Sequence, residues 1–77
     1  MLSEDIYNIT HAVYAIERGD KETAALYIQK VRKGSRSRNA KRLAQALIGL
    51  HNLQPYIEQA IKEQREWREH LAQETQS

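Results

Sequence analysis

The sequence predicts an all-α fold: a short antiparallel helical hairpin followed by a long amphipathic helix bent at Pro55, or by two helices. Oligomerisation is expected to complete it as a bundle. Three observations carry this reading. Apolar residues recur at three- and four-residue steps along most of the chain, which is the spacing of a single helix face. No stretch shows the two-residue alternation of a strand. Punctuation is sparse, with glycine only at 19, 34 and 49 and one proline.

The first segment runs from about Ser3 to Arg18. Ile6, Ile9, Val13 and Ile16 form its expected apolar stripe. Ser3 is the natural N-cap, with Glu4 and Asp5 in the first turn, where the helix dipole favours negative charge. Gly19 ends the segment, because it tolerates positive φ. Asp20 then caps a second helix whose apolar face is Ala24, Tyr27, Ile28 and Val31, with Gly34 as the stop. Arg18-Gly19-Asp20 is a short connection, and short connections join antiparallel neighbours. Gly34 to Asn39 reads as a loop, in which Ser35, Ser37 or Asn39 can cap the next helix.

The third segment is long. Leu43, Leu50, Ile57 and Leu71 share one heptad position, with Gln64 interrupting. Ala46, Leu53, Ala60 and Trp67 share the next, while Leu47 and Ile61 widen the stripe. The register holds across Pro55, which favours a nearly continuous bent rod. The alternative is two helices with a break at Asn52 or Gln54 and Pro55 in the first turn, where its missing N–H costs nothing.

Seventy-seven residues make a single domain, assigned to 1–72, with 73–77 as a frayed tail. A chain this short buries only about 60–65% of its unfolded surface. Without cysteine it has no disulfide and no thiolate metal site. Small domains lacking such staples gain stability by oligomerising. The stripe from 43 to 71 would be about 42 Å long as a helix, against about 20 Å for each short helix. Leu50, Leu53, Ile57, Ile61, Trp67 and Leu71 are therefore the expected contact with a second copy, as a homodimer or higher homo-oligomer. Mean hydropathy is −0.78. No apolar run approaches the roughly 20 residues that span a bilayer. The acidic start, Met-Leu-Ser-Glu-Asp, does not read as a signal peptide, so a soluble cytoplasmic protein is the expectation.

Charge is segregated. Residues 1–22 carry five acids against two bases, and residues 58–77 carry five against three. Between Glu22 and Glu58 there is no acid at all, yet Lys30, Arg32, Lys33, Arg36, Arg38, Lys41 and Arg42 lie there. Such a field attracts phosphate. Lys41 and Arg42 would occupy a helix first turn against the dipole's preference, a cost that a bound anion offsets. Serine and asparagine beside the cations suit phosphate contact better than base reading. Tyr7 and Tyr14 share a face with His11 and are candidate stacking residues, although such a stripe is more often the edge of a core.

Catalysis is not expected. His11, His51 and His70 lack metal-ligand spacing, and no nucleophile–base arrangement or glycine-rich phosphate loop is present. Arg65-x4-His70 resembles, over six residues, the arginine–histidine pattern of the all-helical HEPN ribonucleases, which would imply metal-free RNA cleavage. Those domains are longer than this chain, and solvated Arg/Glu pairs on a helix account for the spacing. The leading expectation is a small non-enzymatic binding protein, without cofactor or metal, that holds nucleic acid or another phosphate-bearing ligand on the 30–42 helix–loop–helix junction. The alternatives are a protein-interaction module (a small regulator or inhibitor, a role also filled by phage-encoded chains) docking on an acidic surface, and a nucleotide-binding oligomer. In the last, Tyr7 or Tyr14 stacks a base.

Overall fold

The computed structural model describes the backbone of residues 2–76 and the side chains of residues 2–73. The described residues form four helices and no strand: α1 (Ser3–Glu17), α2 (Lys21–Gly34), α3 (Arg38–Leu50) and α4 (Gln54–Gln76). No helix among them is long and apolar enough to cross a membrane.

Each terminus has a local cause. Leu2, rather than Ser3, is the N-cap of α1, and the backbone N–H of Leu2 donates to the Asp5 carboxylate at 3.4 Å. The acid three residues into the helix thus does the work that the sequence assigns to Ser3. At the other end Gly19 adopts φ 79°. Its N–H reaches Ile16 C=O at 3.0 Å, and the Asp20 N–H reaches Ala15 C=O at 2.8 Å. That pair of bonds is a Schellman ending, which consumes the last carbonyls of α1 and reverses the chain. Asp20 caps α2 by accepting from Thr23 N–H at 3.1 Å. Of the three candidates, Ser37 caps α3, accepting from Ala40 N–H at 3.2 Å.

The expected bent rod is instead two helices. Asn52 takes φ 55°, and the Leu53 N–H returns to Ile48 C=O at 3.0 Å. This is the six-to-one bond of a helix C-terminus, with asparagine in the left-handed position that glycine usually fills. Leu53 and Ile48, the residues it joins, are both buried, so the apolar contact that accompanies the motif is also present. Pro55 is the second residue of α4, where the absence of an N–H leaves no bond unmade. The backbone of α4 runs on through Gln76. Ser77 lies outside the described residues.

α2 is the hub of the molecule. It packs against α1, α3 and α4, and α1 also meets α3. Lys21 Nζ lies 6.0 Å from the Tyr56 ring at one end, and Lys33 Nζ lies 3.3 Å from Gln64 Oε1 at the other. α2 and α4 therefore run parallel, while α1 runs antiparallel to α2 through the Gly19 turn. Among the described residues, seven of the twelve buried apolar ones are alanine, namely 12, 15, 24, 25, 40, 44 and 60. Small side chains at helix contacts bring the axes close. Ile28, Val31, Leu53 and Ile57 are the largest fully buried side chains.

This alanine packing corrects the expected face of α1. Its buried side is Asp5, Asn8, Ala12 and Ala15, with Ile9 and Ile16 at the margin and Ile6 54% exposed. The contact with α2 selects the small residues, and the larger ones are displaced toward solvent. The residues expected at a contact with a second copy divide. Leu53 and Ile57 are fully buried in the chain's own core and Ile61 packs against it, so these three serve the monomer. Leu50, Trp67 and Leu71 remain 75%, 61% and 42% exposed.

Candidate functional site

The basic cluster of residues 30–42 spans the last turn of α2, the linker 35–37 and the first turns of α3. Two serines hold the linker. Ser35 Oγ accepts from the Ser37 N–H at 3.0 Å, and Ser37 Oγ accepts from α3. Six of the seven cations, Lys30, Lys33, Arg36, Arg38, Lys41 and Arg42, are exposed. Arg32 is half-buried and donates through Nη1 to Gln29 Oε1 at 3.4 Å. None of the seven forms an ion pair with a carboxylate among the described residues. Arg38 and Arg42, four apart, fall opposite the buried Ala40–Ala44–Ile48 side of α3. The window thus divides. Arg38 and Arg42 face outward on α3, while Lys33 reaches Gln64 of α4 and Lys30 lies over the Tyr27 ring of α2.

Lys30 and Lys33 help line a groove of about 720 Å³ where the start of α1, the end of α2 and the middle of α4 meet. Tyr7 and Trp67 contribute exposed rings, Arg68 a third cation, and Glu4 a carboxylate. Asn8 and Gln29 supply carboxamides from residues that are only 7% and 4% exposed. The Asn8 amide has no hydrogen-bond partner among the described residues, and Gln29 has one bond, from Arg32, leaving its NH2 without an acceptor. No unpartnered side-chain polar atom is fully occluded, so these amides meet solvent through the groove they line. Gln64, which interrupts the heptad, stands here as acceptor for Lys33.

The aromatic stripe of α1 is a four-ring cluster. Tyr7 and His11 lie 4.2 Å apart, His11 and Tyr14 6.4 Å, and His11 stacks on Tyr27 of α2 at 5.2 Å. Lys30 Nζ is 5.0 Å from the Tyr27 ring, a cation–π contact that ties the cluster to the basic window. Tyr7 and Tyr14 are 57% and 54% exposed, so both keep a face open. Tyr7 borders the groove, whereas Tyr14, one heptad further along α1, is absent from its lining. Sequence reasoning missed Asn8, Gln29 and Arg68. Their only signal was a polar residue inside an apolar face, visible for Asn8 and Gln29 once the true faces of α1 and α2 are known.

Arg65 and His70 lie on the exposed outer part of α4, away from the buried core. Among the described residues no group of three or more His, Asp or Glu side chains is placed to hold a metal ion. No protein-family model, curated protein or solved structure matches the chain.

Proposed function

We propose that this protein is a non-enzymatic nucleic-acid binder that holds the phosphate backbone on the cations of residues 30–42. One observation carries the reading: seven basic side chains gathered at one helix–loop–helix junction, six of them exposed and none ion-paired among the described residues. Unpaired exposed cations keep their full attraction for a polyanion, and binding releases its condensed counterions. Fluorescence anisotropy with labelled DNA and RNA at about 50 mM salt tests it. Binding that weakens steeply with added salt supports the reading, and no binding to either by the folded protein overturns it. A stoichiometric protein partner that survives nuclease treatment would replace it with the protein-docking alternative.

Self-association is a second, compatible reading, favoured by the exposure of Leu43 and Leu50 on one side of α3. A second copy would cover this strip. Sedimentation equilibrium is expected to show a dimer or higher oligomer, reduced to monomer by Leu50→Glu. A monomeric parent chain at all concentrations removes the idea.

A further inference from the structure

The basic window explains attraction to phosphate but leaves the neighbouring groove unused. We propose that this groove is a nucleobase pocket, taking one unpaired base of a single strand between Tyr7 and Trp67. The edge of the base meets Asn8 and Gln29, and its phosphate meets Lys30, Lys33 and Arg68. The inference rests on the nucleic-acid reading above and adds strand selectivity to it.

Four features support it. At about 720 Å³ the groove falls within the range of small-molecule sites, roughly 300–1,000 Å³. Two large aromatic side chains, Tyr7 at 57% and Trp67 at 61% exposure, border this groove, and unpaired bases stack on such faces. The Tyr7 ring is already held by His11 at 4.2 Å and Tyr27 at 6.4 Å, so little side-chain freedom is lost on binding. Asn8 and Gln29 are more than nine-tenths buried and still present unpartnered amide groups to the groove. A carboxamide offers a donor and an acceptor side by side, which matches the polar edge of a base.

The charges orient this ligand. Lys33 and Arg68 come from α2 and α4, and Glu4 from α1. The carboxylate repels phosphate toward the cations and can accept from an exocyclic amino group of the base. A base inside a duplex presents neither its faces nor its pairing edge, and extracting it costs stacking and pairing energy. Duplex DNA therefore gains only the backbone contacts of the window, including Arg38 and Arg42.

Trp67 is the only tryptophan, so its fluorescence reports on the groove directly. It is titrated with three ligands matched in phosphate number: a single-stranded DNA oligonucleotide, its abasic counterpart and a duplex. The single strand is expected to quench Trp67 and to bind more tightly than the abasic strand by roughly 5- to 150-fold, the worth of one stacked base. Tyr7→Ala is expected to collapse that ratio toward one without changing abasic affinity, whereas Tyr7→Phe preserves it. Arg38→Ala is expected to weaken all three ligands. Far-UV circular dichroism checks that each variant is folded. If the three ligands bind alike, the pocket is refuted and the backbone reading stands. If none binds, both fall. A ratio unchanged by Tyr7→Ala also refutes the pocket.

Discussion

Asp20 accepts a hydrogen bond from the Thr23 N–H at 3.1 Å and so satisfies one of the donors that every helix start leaves open. The Thr23 bonds hold its carboxyl below the usual carboxylate pKa, with nearby Arg18 acting in the same direction. A depressed folded-state pKa means that the stabilisation is present above the unfolded pKa and is lost as pH falls through the folded one. Asp20→Ala is therefore expected to lower the melting temperature at neutral pH. The gap from the parent chain should narrow as pH drops below about 4. Thermal melts across an acid series check both statements, and a gap that stays constant with pH would show that charge has no part in the cap. Asn8 and Gln29 make a different point at this scale. They are more than nine-tenths buried, yet hydrogen-bonding capacity is left over and opens onto the groove, where solvent or a ligand can use it.

At the scale of elements, the decisive feature is the break between α3 and α4. Asn52 occupies the left-handed region at φ 55°. A β-branched residue pays heavily there, so Asn52→Val is expected to cost at least about 1–2 kcal/mol in urea denaturation. Asn52→Gly is expected to be neutral or stabilising, since glycine takes that conformation without strain. A continuous helix would reverse this order, because valine is a better helix former than glycine. Leu50 and Leu53, three residues apart, divide just as sharply. Leu53 is fully buried, and Leu53→Ala should destabilise the chain by about 2–5 kcal/mol. Leu50 is 75% exposed, and in the monomer Leu50→Gln should change stability by no more than about 0.5 kcal/mol. Both had been expected in the same contact with a second copy, and denaturation at low protein concentration separates them.

At the scale of the whole molecule, α2 joins the other three helices and also carries the start of the basic window. Binding and folding thus share one element. The core occupies the part of the molecule where α2 is flanked on all sides. α4 continues roughly 18 Å beyond Gln64, about twelve residues at helical rise. Trp67 and Leu71 lie on that extension, 61% and 42% exposed, and Trp67 borders the groove that α4 forms with α1 and α2. Field and shape then predict a salt response. If the window tracks a duplex backbone, Arg38→Ala and Arg42→Ala should each reduce the log–log salt slope by about 0.9. Anisotropy measured over a salt series gives that slope directly. A slope unaffected by both changes would place the bound phosphates elsewhere.

Much of this was legible along the chain, and the division has a physical basis. Helical class, the Gly19 reversal, the cap at Asp20 and the charge segregation all depend on atoms within a turn or two of one another. The sequence by itself determined them. The tertiary structure decided which residues a helix hides. α1 could have turned Ile6 and Val13 inward, but the close approach of α2 favours Ala12 and Ala15 and leaves Ile6 exposed. The heptad register runs unbroken through Asn52, because a left-handed residue redirects the chain without altering the count of residues along it. Only the Leu53–Ile48 bond shows the stop. The groove is the clearest case. Tyr7, Asn8, Gln29, Lys33 and Trp67 come from three helices, and their meeting depends on α2 and α4 running parallel, a long-range choice that no local spacing encodes.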